Sequence, residues 1–254
     1  MNHSSVSSKE AALLSLVEDS GLSVLCVSEL ARIGLGEGSR LHNTLASLLR
    51  KGLIRRIKRG SYAMTSDLNE KVLGIATEVV KPSYISFWTA LSQHGFTEQQ
   101  LMQVQLVSTR QVAPLRIGDF GVEIVALKPY RFYGYEKTKG FVIAEPEKAL
   151  IDSLFRPDRC GGIDEVVKCL KNAWPSLDQD VLVDYALRFK NRALISRAGH
   201  LIESLGLELP GSERLLEARS PSLVPLDPKA ERVGEYDRKW GVMVNHSIKM
   251  EVIG

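Results

Sequence analysis

Cysteine is scarce in this 254-residue chain. Cys26, Cys160 and Cys169 are an odd number, widely spaced and without a CxxC pair. Neither a disulfide framework nor a zinc site is thereby indicated, and the three thiols are expected to be reduced and mostly core. Long apolar runs are also missing. No stretch approaches the ~18 residues needed to cross a bilayer, and residues 1–19 lack a basic segment followed by an apolar one. The expectation is a cytoplasmic chain with no membrane partner. Histidine is sparse and scattered (His3, His42, His94, His200, His246), with no HExxH pair. No repeat of 20–50 residues is visible. With 44% apolar and 25% charged residues, collagen-like, low-complexity and wholly disordered readings drop out.

Net charge is also low, at +3 from 33 basic and 30 acidic residues. That total conceals an asymmetry. Residues 1–65 carry nine Lys/Arg against five Asp/Glu, whereas the remainder carries 24 against 25. Arg50, Lys51, Arg55, Arg56, Lys58 and Arg59 fall together with no acid between them.

The length suits one large domain or two ordinary ones. Ser7 or Ser8 caps a predicted helix that carries Leu13, Leu14 and Val17 and stops at Gly21. A short helix over 27–33 and a glycine-rich turn over 34–38 follow. Ser39 then starts a helix through Arg50 whose Leu41, Leu45, Leu48 and Leu49 recur at amphipathic spacing. Residues 53–64 read as two short strands around a turn at Lys58-Arg59-Gly60. A connecting helix is predicted over 67–81, stopped by Pro82, because the residue before a proline is driven out of the α region.

Beyond Pro82, Ser86 is placed as the cap of a helix over 87–94. Strands are predicted over 104–109, 115–127 (split at 118–121) and 140–144. Helices follow over 146–155, 163–172, 178–190 and 192–205. Past Pro210 the prolines suggest an extended surface path, ended by a docked strand at 240–245. The fold class expected is α+β: an N-terminal winged helix-turn-helix over 1–66, a connecting helix over 67–81, and a larger mixed α/β domain over 82–254.

The winged order carries the chemistry. A second helix set in the major groove presents polar side chains to base edges. Ser39, Arg40, Asn43, Thr44, Ser47 and Arg50 occupy the outer face of helix 39–50, while Arg55, Arg56, Lys58 and Arg59 form a basic wing suited to phosphates. The alternative is an ordinary amphipathic helix beside a solvated basic run. RNA is disfavoured as a partner, since RNP aromatics and GxxG clamps are absent. Glu145, Glu147 and Asp152 invite a metal-dependent enzyme reading, yet a helix start gives Glu145 and Glu147 a structural reason to be there. The aromatics Phe87, Trp88, Tyr130, Phe132, Tyr133 and Tyr135 are either core or a partner surface. Gly34-x-Gly36-x-Gly38 follows no strand, so it is not a dinucleotide fingerprint, and no cofactor or metal is expected.

Four segments add a resemblance: 83–98, Phe132-Tyr-Gly-Tyr135, Ile143-Ala-Glu-Pro-Glu-Lys-Ala-Leu-Ile-Asp152 and Lys239-Trp-Gly-Val-Met-Val-Asn245. Together they resemble the AbiEi family of antitoxins and transcriptional regulators of type IV toxin–antitoxin systems. The resemblance implies a non-enzymatic repressor that binds double-stranded DNA at its own promoter. It also implies a second domain that counteracts an AbiEii-like nucleotidyltransferase toxin without a stable complex. A regulator lacking a toxin partner, or a DNA-docked adaptor, is the alternative.

Overall fold

A computed structural model describes residues 6–32, 38–99, 102–138 and 140–248. It is mixed α/β, about 45% helix and 19% strand, with several sheets. In chain order the first elements are α1 (Ser8–Ser20), β1 (Leu25–Cys26), α2 (Val27–Arg32), α3 (Ser39–Arg50), β2 (Ile54–Lys58), β3 (Ser61–Met64) and α4 (Val72–Val79). Then come β4 (Ser83–Ile85), α5 (Phe87–Gln93), β5 (Gln103–Ser108), β6 (Leu115–Ile117), β7 (Phe120–Ala126), β8 (Tyr135–Lys137) and β9 (Val142–Ala144). The rest is largely helical: α6 (Pro146–Phe155), α7 (Ile163–Ala173), α8 (Gln179–Arg188), α9 (Arg192–Ser204) and α10 (Ser212–Ala218). Three short strands close the chain: β10 (Val224–Pro225), β11 (Glu235–Asp237) and β12 (Val242–Val244).

The chain divides into two compact units, and the division does not follow a single cut at Pro82. The first unit takes Met1–Ser83 together with Met102–Ala126 and Lys137–Val142; the second takes Tyr84–Leu101, Leu127–Glu136 and Ile143–Gly254.

In the first unit, Leu13, Val17, Leu25, Leu30, Leu41, Leu45, Leu48 and Ile54 form one buried cluster. These are the apolar positions that helical spacing assigns inward on α1, α2 and α3, and each such burial contributes ~1.5–3 kcal/mol. β1 was not foreseen. Only two residues long, it pairs antiparallel with β3 (Leu25 with Tyr62, Cys26 with Ser61), and β2 takes the other side of β3. The glycine-rich turn expected at 34–38 lies, apart from Gly38, outside the described residues. α4 is shorter than the predicted 67–81, because residues 65–71 form turns in which the Asn69 side chain is committed to Asp119. In the same unit β5 runs parallel to β7, and β6 and β7 form the hairpin expected from the split at 118–121.

Glu10 fastens α1 to α3. The carboxylate completes a capping box with Ser7 and receives the Lys51 ammonium at 2.6 Å. Lys51, the Ser7 backbone N–H and Ser47 together hold its pKa down from 4.5 to about 2, against the opposing effect of burial. A carboxylate lowered on folding stabilises fully above its unfolded pKa and loses that contribution as pH falls through the folded value. Thermal unfolding of the wild type and of Glu10→Gln, followed from pH 6 to 2, should therefore differ above pH ~4.5 and converge near pH 2. A difference independent of pH would contradict the role given to this carboxylate.

In the second unit β4 and β9 run parallel, with Ile85 opposite Ile143, and α6 to α10 supply most of the core. The terminal strand docks as expected: β12 pairs parallel with β10 and antiparallel with β11. Its neighbour Trp240 is buried and donates its indole N–H to Glu203 at 2.6 Å. The ring lies so close to α9 that a Cβ on Gly199 would sit 2.2 Å from it, so only glycine fits beneath. Residues past Pro210 correct the extended path expected there: Ser212–Ala218 is α10, with Leu215 buried. A helix of two turns is too short for its spacing to register against the surrounding prolines.

Candidate functional site

The outer face of α3 is open. Ser39, Arg40, His42, Asn43, Ala46 and Arg50 are exposed, while Leu41, Leu45 and Leu48 point into the core. Arg40, Asn43 and Arg50 have no side-chain partner among the described residues. Two of the residues expected on this face are otherwise occupied. Ser47 is half-buried and hydrogen-bonds Glu10, which corrects its assignment to the outer face. Thr44 is half-buried and returns its hydroxyl to the Arg40 carbonyl one turn earlier, at 3.1 Å. Conversely, His42 was missed. It is exposed beside Asn43, one ring nitrogen lying 2.8 Å from the Gly38 carbonyl, and the helical wheel alone places it at the border between faces.

β2 continues the positive charge. Arg55, Arg56, Lys58 and Arg59 are all exposed, and a register shift between Arg56 and Lys58 inserts Ile57 as an extra residue. Such a bulge interrupts the strict alternation of faces. Arg55, Arg56 and Arg59 have no ion-pair partner among the described residues. Lys58 differs from its neighbours, because its ammonium donates to the Val79 carbonyl at the end of α4. Its ammonium is thereby engaged within the first unit, a detail that sequence spacing had no means to show.

The carboxylates of the enzyme reading have structural partners in the second unit. Lys148 and Asp152 are both fully buried and form an ion pair within α6. The Asp152 carboxylate also accepts the Ser86 hydroxyl at 2.7 Å and the Tyr84 hydroxyl at 3.1 Å. Ser86 thus spends its side chain on Asp152 and makes no cap bond to α5. Lys148 donates to Tyr84 at 2.9 Å and lies 5.0 to 5.3 Å from the ring centroids of Tyr133, Phe189 and Tyr84. Burial pulls the Lys148 pKa down, and the adjacent Asp152 charge opposes that. Glu145 accepts the Tyr185 hydroxyl, and Glu147 accepts the Asp178 backbone N–H at 2.8 Å. No group of three or more His, Cys, Asp or Glu suited to a metal ion occurs among the described residues. Cys160 and Cys169 are free and buried, and burial raises each thiol to about 12.

The aromatics divide between core and surface. Phe87 and Tyr133 are buried, whereas Tyr130 and Tyr135 are exposed, and Tyr135 stacks on Tyr84 with centroids 5.1 Å apart. His94 closes α5 with a ring nitrogen 2.8 Å from the Ala144 carbonyl. No described helix is long and apolar enough to cross a membrane.

No family model matches the chain, and no curated protein matches it. Its fold is similar to that in the crystal structure of the RV2827C protein from Mycobacterium tuberculosis, with a TM-score of 0.64 at 13% identity, covering 94% of this chain and 92% of that one. At that identity the likeness speaks to fold alone.

Proposed function

We propose that the chain is a non-enzymatic, DNA-binding transcriptional regulator whose α3 enters the major groove and whose β2–β3 hairpin follows the phosphate backbone as a wing. The observation that carries this reading is a set of exposed, unpaired arginines on α3 and β2, with Asn43 among them, in the first unit. Arg40, Asn43 and Arg50 on α3 and Arg55, Arg56 and Arg59 on and beside β2 are exposed and without ion-pair partners among the described residues. An amphipathic surface helix serving only its core has no need of such a set, since solvated surfaces normally intersperse both signs of charge. The element order α1, β1, α2, α3, β2, β3 supports reading α2 and α3 as a helix-turn-helix and β2–β3 as its wing. The resemblance of the second half to the AbiEi family supports the further proposal that the DNA is the chain's own promoter. On that resemblance, the second unit opposes a nucleotidyltransferase-type toxin without binding it stably.

Fluorescence anisotropy with duplex DNA from upstream of the gene tests the reading. Wild-type protein is expected to prefer that DNA over a scrambled duplex. Arg40→Ala and Asn43→Ala should each erode the preference by ~1–3 kcal/mol, the value of one bidentate base contact. Equal affinity for both duplexes would remove sequence-specific regulation from consideration. Retained preference in both variants would mean that α3 does not read the bases.

A further inference from the structure

A groove of about 470 Å³ opens along β2 in the first unit, and Arg55, Arg56, Asn69 and Arg116 are among the residues lining it. β2 is the edge of its three-stranded sheet, and β6 comes alongside it. The far wall is the β6–β7 turn, fixed by a clamp. Asn69 accepts the Asp119 backbone N–H at 3.0 Å and donates to the Asp119 carboxylate at 2.7 Å. Arg116 donates Nε to the Gly118 carbonyl at 3.3 Å and Nη2 to the Asp119 carbonyl at 3.2 Å. Gly118 has φ +55°, and a Cβ there would fall 2.1 Å from Asn69 Oδ1, so the clamp closes only around glycine.

Three guanidiniums and one carboxylate line this groove, and that carboxylate already holds the Asn69 amide. Arg55 and Arg56 are unpaired among the described residues. Arg116 spends two of the five N–H donors of a guanidinium on the turn, leaving three aimed elsewhere. Small-molecule pockets are lined mainly by apolar and aromatic groups. This groove has Ile57 and Leu68 as its apolar side chains and no aromatic one. Forked donors beside an unpaired strand edge suit the tetrahedral oxygens of a phosphate instead. Because Arg55 and Arg56 belong equally to the cationic strip of β2, the phosphates that fit are those of a strand already held by that strip.

We infer that this groove binds a phosphodiester segment of the DNA backbone beside the segment read by α3, with Arg116 as a second clamp that the basic run at 50–59 does not include. The inference rests on the DNA-binding reading above. Affinity of the full chain for the upstream duplex, measured against sodium chloride for wild type, Arg116→Ala and Arg116→Lys, tests it. Arg116→Ala is expected to bind about eight-fold more weakly at 0.1 M salt and to reduce the magnitude of the slope of log K against log[salt] by about 0.9, the share of one phosphate contact. Arg116→Lys keeps the charge and should keep the slope. Phosphate ethylation interference on the wild-type complex should mark flanking phosphates, which also decides the matter if Arg116→Ala loses its thermal transition. Tight, salt-dependent binding by the wild type with an unchanged slope in a folded Arg116→Ala would overturn the groove and leave the α3 reading standing. Absence of DNA binding by the wild type would overturn both.

Discussion

Asp152→Ala is expected to destabilise the second unit by ~3–5 kcal/mol, because it leaves the buried Lys148 ammonium without its counter-charge. Both side chains are fully buried, so water does not replace the lost carboxylate. What remains around the ammonium is the Tyr84 hydroxyl and the faces of Tyr84, Tyr133 and Phe189. These ring contacts are already made in the wild type, so the substitution gains nothing from them to offset an unpaired buried charge. The same change strips the acceptor from Tyr84 and Ser86. At ~2–4 °C per kcal/mol for a chain of this size, the calorimetric transition should fall by on the order of 10 °C. Lys148→Met with Asp152→Leu should recover most of that loss, since apolar replacements of similar volume remove both charges together. A single-variant loss under about 1 kcal/mol would show that the pair is hydrated or neutral in solution. This cluster also explains the Glu-Pro-Glu-Lys-Ala-Leu-Ile-Asp segment without chemistry, through i, i+4 pairing of Lys148 with Asp152 on one helix face.

The second large effect is the response of DNA affinity to salt. Four free guanidiniums, Arg50, Arg55, Arg56 and Arg59, each set against one phosphate, contribute about −3.6 to the slope of log K against log[salt], to which Arg116 adds about −0.9. Affinity should then fall by at least about 150-fold between 50 and 200 mM salt. Arg55→Ala combined with Arg56→Ala should lower the magnitude of the slope by about two. Lys58→Ala should change it less than any of the arginines, because its ammonium is committed to the Val79 carbonyl. That contrast separates a positioned strip from a merely basic surface. A surface acting only through net charge would respond equally to all five substitutions, and such equality would count against the wing.

Local pattern made much of the fold legible. α3 was readable to its ends because Leu41, Leu45 and Leu48 recur on one face and Gly52 follows the last turn. α1 was readable because Ser7 precedes Leu13 and Val17, which share one face, and Gly21 follows the last turn. The strand over 103–108 announced itself by its β-branched residues, and those over 115–117 and 120–126 by β-branched residues flanking a glycine turn. β1 was hidden because a two-residue strand has no period, and α10 because two turns barely have one. The single boundary at Pro82 was a reading of chain order, whereas compactness assigns 102–126 to the first unit.

The candidate site divides along the same line. From the sequence alone came the cationic run at 50–59, the polar outer face of α3, and the absence of metal-ligand spacing, since all three depend on residues within a few positions of one another. Tertiary structure alone decided which of these side chains are free. Ser47 turns to Glu10, 37 residues before it, and Lys58 turns to Val79, 21 residues after it. Arg116 joins Arg55 and Arg56 from some 60 positions away. Charge and periodicity are local properties and survive in a string of letters. Whether a charge already has a partner depends on which distant segments fold against it, and no spacing rule encodes that.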